Sequence, residues 1–348
     1  TPVALAAGLN KAARNHILIR DTSALEQMRN VDVVVFDKTG TLTEGHPTVI
    51  GWLWAQGQEE HYKDVLLAAE STSDHPLAEA IVTALEGEEQ VIPAHLDGFE
   101  NITGKGVRVA YQGAEYWVGS HKLLKDYQAN LSDILADMLT QYESDGNSIV
   151  YFGRENDLLA VIAIKDQLRV TSMEAIRELR TQDIEICMLT GDGERTASSV
   201  AGSLGIMRFV ADAMPDDKED FIHKLQLQGK TVAMVGDGVN DARALSCADV
   251  SIAMGKGTDT LMDTAMITLR TSDLLLLPKV FRLSRQTVSL MYRNLFWAFI
   301  YNTVGIFVAA GVLYPVYDIL LSPALAGAAM ALSCVSVALS SLRLSSRF

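Results

Sequence analysis

The chain has 348 residues, of which 49% are hydrophobic and 21% are charged, and its net charge is −14. This length and composition suffice for two domains with buried cores, and they exclude a disordered or fibrous protein. The negative net charge argues against a nucleic-acid partner, because proteins that bind nucleic acids need a positively charged surface. The charge is uneven, because residues 276–348 contain six basic residues and one acidic residue, so the acidic excess lies before them.

Apolar runs that end in acidic turns organise the first 275 residues. Residues 31–36 form a largely β-branched run that is apolar except for Asp32, as in a strand buried on both faces, and Asp37 follows it. Similar runs at 184–189 and 231–235 also end in acidic turns, and helix-like stretches follow them. Because the carboxyl ends of parallel strands meet at one edge of an α/β sheet, we expect a phosphate site with Mg²⁺ there.

The stretch between the first two strands is too long for one crossover. Residues 51–153 show their own pattern of helices, alternating strands and a polar helix, so we predict an inserted α+β domain. We expect residues 149–164 to return to the first sheet. The predicted divisions are 1–27, a domain made of 28–50 and 154–275, an inserted domain at 51–153, and a C-terminal part at 276–348.

Two uncharged stretches, 294–317 and 319–342, fill the C-terminal part, and Asp318 is the charge between them. Each exceeds the roughly 20 residues that a helix needs to cross a bilayer. Basic residues flank both outer ends, which predicts that both ends face the cytoplasm. We therefore predict a transmembrane helical hairpin in a lipid bilayer; a buried hairpin of a soluble domain is the alternative.

The strand-end residues predict phosphoryl transfer to a carboxylate. Asp37 is the candidate nucleophile. A phosphate group repels an attacking carboxylate, so Mg²⁺ and a lysine must neutralise it. Asp237 can bind the metal with Asp37, Lys218 can supply the cation, and Thr190 and Gly191 can donate hydrogen bonds to phosphoryl oxygens.

The sequence DKTGT at 37–41 resembles the phosphorylation motif of P-type ATPases, which are built on a haloacid-dehalogenase-like fold. The sequences at 190–192 and 236–241 are similar to two further motifs of that family. The resemblance implies a parallel α/β sheet interrupted by an α+β nucleotide-binding domain and followed by the transmembrane hairpin. It implies catalytic roles for Asp37, Lys38, Thr39, Thr190, Gly191, Asp192, Lys218, Asp237, Asn240 and Asp241. The implied magnesium ligands are Asp37, Thr39, Asp237 and Asp241.

The insertion resembles the nucleotide-binding domain of heavy-metal P-type ATPases. The run SDHPL at 73–77 is similar to their Ser-x-His-Pro motif, which implies that Glu70 and His75 contact ATP. Three glycines resemble the family's nucleotide-binding glycines, and they are Gly104, Gly106 and Gly119. Taken alone, such glycines are more often ordinary turns, and a lone histidine is more often a helix cap.

The predicted membrane helices resemble those of the copper(I) subgroup. The implied copper ligands are Tyr301, Asn302, Met330, Ser333 and Cys334, although Cys334 stands where that subgroup usually has a second serine. Soft sulfur ligands suit copper(I), whereas a zinc pump would want a carboxylate in these helices. Ordinary helix packing is the alternative for these residues, and a zinc or cadmium pump is the alternative for the cargo.

The resemblance implies ATP-driven export of copper(I) through an aspartyl phosphate, in a multi-pass membrane protein with cytoplasmic catalytic domains, in the cell membrane. A soluble carrier would deliver the copper. We expect the chain to be the C-terminal part of such a pump, working with a missing N-terminal half, and residues 1–27 to extend a preceding transmembrane helix. A phosphatase of the same fold is a further alternative, but those enzymes usually carry a second aspartate where Thr39 stands.

Overall fold

A computed structural model describes residues 2–55, 59–73, 75–88, 91–129, 133–237, 241–255 and 265–310, with 312, 327–328, 331, 335–337 and 340–341. The helices are α1 (Pro2–Arg14), α2 (Ser23–Met28), α3 (Glu59–Glu70), α4 (Pro76–Glu86), α5 (His121–Asp126), α6 (Asp133–Ser144), α7 (Ser172–Arg180), α8 (Glu194–Leu204), α9 (Pro215–Leu227), α10 (Ala242–Cys247) and α11 (Leu276–Ala309). The strands are β1 (Ile17–Ile19), β2 (Val33–Asp37), β3 (Thr48–Trp54), β4 (Gly98–Ile102), β5 (Gly106–Tyr111), β6 (Ala114–Gly119), β7 (Ser148–Arg154), β8 (Asp157–Lys165), β9 (Glu185–Leu189), β10 (Arg208–Val210), β11 (Val232–Gly236), β12 (Val250–Met254) and β13 (Ile267–Leu269).

A seven-stranded sheet with the order β1-β13-β12-β11-β2-β9-β10 holds the acidic turns. All its pairings are parallel except that of β1 with β13. Strands β2, β11 and β12 are buried along their whole length, because α2, α7, α8 and α11 cover one face and α9 and α10 cover the other. The predicted parallel α/β sheet is confirmed, and its two central strands, β2 and β11, end side by side.

The inserted domain is a six-stranded antiparallel sheet with the order β3-β8-β7-β6-β5-β4. Helices α3 and α4 pack on one face, and α5 and α6 pack on the other. The expected return of residues 149–164 to the first sheet is wrong, because β7 and β8 pair with each other around a tight turn in which Glu155 has φ 50°. The insertion therefore begins at β3 and ends at β8, which pair from Thr48–Lys165 onward, rather than spanning 51–153.

Part of the N-terminal segment, which was predicted as a helix extension over residues 1–27, packs into the parallel-sheet domain. Helix α1 packs along α11 so closely that a Cβ on Gly8 would lie 2.7 Å from Thr287 Oγ1. The chain then returns to the parallel sheet, where β1 pairs with β13 and Leu25 of α2 is fully buried. The Ser284 hydroxyl of α11 donates to the Leu25 carbonyl. Residues 17–28 thus belong to the parallel-sheet domain, and their elements are too short to show a periodic sequence pattern.

Helix α11 changes character along its length. Its first half is buried against the parallel sheet, whereas Phe296, Phe299 and Ile306 are 58%, 71% and 68% exposed. No helix within the described ranges has both the length and the hydropathy that crossing a membrane requires. The predicted spans 294–317 and 319–342 are only partly among the described residues.

Candidate active site

Three carboxylates converge at the carboxyl edge of the parallel sheet. Asp37 is the last residue of β2 and is 6% exposed. Asp237 follows the neighbouring β11, and Asp241 precedes α10. One oxygen from each carboxylate lies within 4.8 Å of the other two. Because Mg²⁺ prefers hard oxygen ligands, this donor set fits the predicted magnesium ion.

Lys218 supplies a positive charge to this cluster. Pro215 starts α9, and Lys218 follows within its first turn, where the helix meets the acidic edge. Its ammonium lies 2.5 Å from Asp37 Oδ1 and 2.8 Å from Asp241 Oδ1. Burial alone would lower the pKa of Lys218, but the two carboxylates outweigh burial and raise it. Lys218 therefore stays protonated beside Asp37.

The site carries more negative charge than Lys218 neutralises. Burial, followed by the charge of Asp37, raises the pKa of Asp237 to about 7 and the pKa of Asp241 to about 7. Such shifts occur where carboxylates crowd together out of water without a matching cation. A divalent cation would favour the ionised carboxylates, so the electrostatics also fit Mg²⁺.

The turn after Asp37 is shaped by one glycine and one arginine. Gly40 has φ 71°, and a Cβ there would lie 1.5 Å from Asp237 Oδ2, so only glycine fits. Buried Arg169 donates to the Thr41 carbonyl at 2.9 Å and also to the Gly40 carbonyl. Asp166 accepts from the Gly45 amide at 3.1 Å. Sequence reasoning missed Arg169 and Asp166; their position just after an apolar strand was the available signal.

Lys38 directly follows Asp37 in the chain, but its ammonium lies near the second acidic turn. Its Nζ lies 2.5 Å from Asp192 Oδ2 and donates to Ser148 Oγ of the inserted domain at 3.1 Å. The Thr190 hydroxyl donates to the same Asp192 oxygen at 2.8 Å. Burial opposes ionisation of Asp192, yet Lys38 and these hydrogen bonds lower its pKa. Lys38 therefore joins the two domains at the edge of the site.

The remaining predicted catalytic residues differ in how far the structure describes them. Thr39 is half-buried in extended backbone, and Gly191 follows β9 with ordinary space around it. The Thr41 hydroxyl is buried and has no hydrogen-bond partner among the described residues, so it is available to a phosphoryl oxygen. Asn240 lies outside the described residues.

The predicted nucleotide residues Glu70 and His75 lie where α3 ends and α4 begins. Glu70 is 6% exposed, and burial raises its pKa to about 7. The His75 ring caps α4 by accepting from the Leu77 amide at 3.2 Å. The ring reaches solvent, yet its packed surroundings lower the pKa of His75, and the charges of Asp192 and Lys38 act on it as well. His75 is thus close enough to the acidic edge of the parallel sheet to feel its charges.

The predicted glycines sit where backbones approach closely. Gly106 and Gly119 face each other across β5 and β6, and a Cβ on Gly106 would lie 2.1 Å from the Val118 carbonyl oxygen. Gly104 has φ 70°, and a Cβ there would lie 2.7 Å from Met214 Cε. Because Met214 immediately precedes α9, the Gly104 turn lies against the helix that carries the site lysine. The structure therefore brings the glycine turn and the acidic edge to the same cleft.

Further hydrogen bonds join the inserted domain to the parallel-sheet domain, and several of them come from α8. Thr196 Oγ1 of α8 donates to the Asn147 carbonyl at 2.7 Å. Lys122 Nζ of α5 donates to the Asp212 carbonyl at 2.5 Å. With the Lys38–Ser148 hydrogen bond, they connect the inserted domain to the parallel-sheet domain on either side of the acidic edge.

Only two of the predicted copper ligands, Tyr301 and Asn302, are among the described residues, and both contact residues of their own helix. Asn302 donates to the Ala298 carbonyl of its own helix at 2.9 Å, and Tyr301 stacks on Trp297 with 5.7 Å between ring centroids. Met330, Ser333 and Cys334 lie outside the described residues.

Comparison with known proteins agrees with this architecture. A family model described as haloacid dehalogenase-like hydrolase matches residues 31–249. The chain is 42% identical over 344 residues to the copper-exporting P-type ATPase of Legionella pneumophila, covering 99% of this chain and 46% of that protein. It is 43% identical over 349 residues to the silver-exporting P-type ATPase of Salmonella typhimurium, covering 99% of this chain and 42% of that one.

A solved structure extends the likeness to three dimensions. The crystal structure of a zinc-transporting PIB-type ATPase in its E2.Pi state matches with a TM-score of 0.67 and 35% identity, covering 99% of this chain and 54% of that chain. The chain spans less than half the length of the two curated relatives. The resemblance to heavy-metal P-type ATPases is thus confirmed, and the chain belongs to the haloacid dehalogenase-like hydrolase family.

Proposed function

We propose that this chain forms the catalytic and C-terminal membrane portion of an ATP-driven exporter of copper(I), which works through an aspartyl phosphate on Asp37. The single observation that carries this proposal is the salt bridge between Lys218 and Asp37 inside a cluster of three carboxylates. The named copper and silver exporters among its relatives support the cargo class.

Asp37 is the nucleophile of the proposed reaction. One carboxylate oxygen of Asp37 attacks the γ-phosphorus of ATP, forming a phosphorus–oxygen bond while the bond to the β-phosphate oxygen breaks and ADP leaves. The burial of Asp37 keeps competing water away, and Lys218 holds the carboxylate in place through Oδ1. The Thr41 hydroxyl, which has no partner among the described residues, would donate to a transferred phosphoryl oxygen, and the Thr190 hydroxyl would do so after releasing Asp192.

Asp37, Asp237 and Asp241 would hold Mg²⁺, with Thr39 as a further ligand. Bound there, the ion neutralises charge on the phosphoryl group and so lowers the repulsion between ATP and Asp37. The excess negative charge of the cluster supports this assignment.

The cleft between the two domains is the proposed ATP site. Glu70 and His75 would contact the adenine side, and the glycine turn at Gly104 and Gly106 would admit the nucleotide close to backbone. Glu70 supports this role because it is buried yet titrates near neutrality, so it can donate as well as accept a hydrogen bond. Opening and closing of this cleft would then accompany the catalytic cycle.

Copper(I) is the proposed cargo, with Tyr301, Asn302, Met330, Ser333 and Cys334 as ligands and a soluble carrier as the source. The soft donors of this set and the lack of carboxylates in 294–317 and 319–342 support copper. We place these stretches in the cell membrane, with the two sheet domains in the cytoplasm and the N-terminal half of the pump as partner. Zinc is the second candidate, since the matching solved structure is a zinc transporter.

Phosphorylation with radiolabelled ATP tests the reaction in membranes that contain the protein. We expect an acid-stable, hydroxylamine-sensitive phosphoenzyme that disappears in Asp37→Asn. Asp32→Asn is the matched control, because Asp32 is an exposed carboxylate at the other end of the same strand segment. Undiminished labelling of Asp37→Asn would refute the assigned nucleophile.

Metal-stimulated ATP hydrolysis tests the cargo separately. We expect copper(I) to stimulate hydrolysis more than zinc(II) does. Stimulation by zinc(II) alone would overturn the copper assignment while leaving the aspartyl phosphate intact.

A further inference from the structure

A second group of metal-ligating side chains lies on the outer surface of the parallel-sheet domain. Glu219 and His223 are four residues apart on α9 and therefore share one face of the helix. Cys247 is the last residue of the neighbouring α10. One ligand atom from each of the three side chains lies within 4.8 Å of the other two. We propose that Glu219, His223 and Cys247 bind a divalent transition-metal cation of the Zn²⁺ class.

A hydrogen-bond chain sets the imidazole of His223 for ligation. The Gln226 amide nitrogen donates to the Cys247 carbonyl at 2.9 Å and to Asp249 Oδ2 at 3.2 Å, which leaves Gln226 Oε1 as an acceptor. That oxygen lies 3.1 Å from His223 Nδ1, so Nδ1 carries the proton. The lone pair is then on Nε2, which lies 3.9 Å from Glu219 Oε1. Histidine ligands of metals are commonly oriented in this way.

The carboxylate of Glu219 is also oriented, and it keeps one oxygen for a cation. Arg243 Nη2 donates to Glu219 Oε2 at 2.7 Å, while another nitrogen of Arg243 pairs with Asp216. Glu219 Oε1 faces His223 instead. Asp216 offsets the charge of Arg243, so the ligand group keeps the negative charge that a cation requires.

The donor set selects the class of metal. Imidazole nitrogen, thiolate sulfur and carboxylate oxygen are the ligands that Zn²⁺ uses in proteins, whereas Mg²⁺ wants oxygen alone. Tetrahedral bonds of about 2.0–2.1 Å place nitrogen and oxygen ligands about 3.4 Å apart. The observed distance of 3.9 Å between His223 and Glu219 is about 0.5 Å longer than that value, so small rotations of the two side chains would close it. The exposed side leaves a fourth position for water.

Binding at this surface would act on the elements that hold the nucleophile. Lys218 immediately precedes Glu219 on α9, and Asp241 immediately precedes the helix that ends in Cys247. These two residues form the 2.8 Å salt bridge over Asp37. A cation that joins α9 to α10 would therefore hold Lys218 and Asp241 together, whatever the chain transports.

Titration of the full chain with Co²⁺ under reducing conditions tests the site, because a Co²⁺–thiolate bond gives a charge-transfer absorption. We expect the intensity of this band to saturate at one Co²⁺ per chain. Zn²⁺ should displace the bound Co²⁺ and abolish the band, whereas excess Mg²⁺ should leave the band unchanged. Cys247→Ser should abolish the band, and His223→Gln should weaken Co²⁺ binding at least tenfold. His95→Gln, at an exposed histidine elsewhere, should leave both unchanged.

A thermal-stability measurement gives a second readout that separates ligation from misfolding. Zn²⁺ should raise the Tm of the wild type and of His95→Gln, but not that of Cys247→Ser. His223→Gln changes an exposed side chain, so its fold should be intact. A wild type without the thiolate band, or a Cys247→Ser variant with the band at full strength, would overturn the proposal.

Discussion

Glu70→Gln tests the buried carboxyl of the nucleotide-binding domain. Burial raises the pKa of Glu70 from 4.5 to about 7. The native state therefore binds the Glu70 proton more tightly than the unfolded state does. The stability that the neutral form provides is complete below pH 4.5 and is lost as the pH rises through 7. Glutamine has nearly the same shape and never ionises, so the variant escapes this loss.

The pKa difference sets the size of the effect. The gap between 4.5 and about 7 corresponds to about 3 kcal/mol once Glu70 is fully ionised in both states. At about pH 5 most of this penalty is absent. The free energy of unfolding of Glu70→Gln, relative to that of the wild type, should therefore be about 2–3 kcal/mol higher at about pH 8.5 than at about pH 5.

Urea unfolding at the two pH values, followed by tryptophan fluorescence, measures this difference. Three of the four tryptophans, Trp52, Trp54 and Trp117, report on the inserted domain. Glu86→Gln is the matched control, because Glu86 is an exposed carboxylate on the neighbouring α4. A stability difference between Glu70→Gln and wild type that does not change with pH would refute the reasoning.

Further predictions concern the acidic edge. Gly40→Ala should abolish phosphoenzyme formation, because its Cβ displaces Asp237, whereas Gly113→Ala, at φ 75° with open space, should keep it. Arg169→Met should cost about 2–3 kcal/mol in urea unfolding, because it leaves backbone carbonyls without their charged donor, while exposed Arg180→Met should cost less than about 1 kcal/mol. Lys218→Met should cost about 3–5 kcal/mol by leaving two buried carboxylates unpaired, whereas Lys224→Met on the exposed side of the same helix should be near neutral. Equal costs within either arginine or lysine pair, or equal labelling of the two glycine variants, would contradict the corresponding argument.

The centre of the fold was predictable because its signals are strong and local. Continuous apolar runs ending at Asp37 and before Asp237 identify buried parallel strands, and parallel geometry then brings their ends together. The position of Lys218 beside Asp37 agrees with the chemistry predicted there, in which a cation offsets the repulsion between a carboxylate and an anionic phosphate.

The domain boundary and the supporting residues were harder to predict for physical reasons. Residues 157–165 are as apolar as a strand of the parallel sheet. Only the tight turn at Glu155 indicates that they pair antiparallel with the preceding strand, β7. Arg169 binds backbone carbonyls, so no partner side chain marks it in the sequence. Strand β1 has three residues, too few for a periodic pattern.

The pairing of β3 with β8 has a consequence for how the chain folds. Strands β2 and β9 are neighbours in the sheet although the whole insertion lies between them. Once the insertion has folded, its paired ends, extended by a bridge between Thr43 and Leu168, leave only short segments to close. Shortening a loop about fivefold lowers the entropic cost of closure by about 1.4 kcal/mol. The parallel sheet therefore forms at a lower entropic cost if the inserted domain folds first. The connection between the two domains thus favours one order of folding over the other.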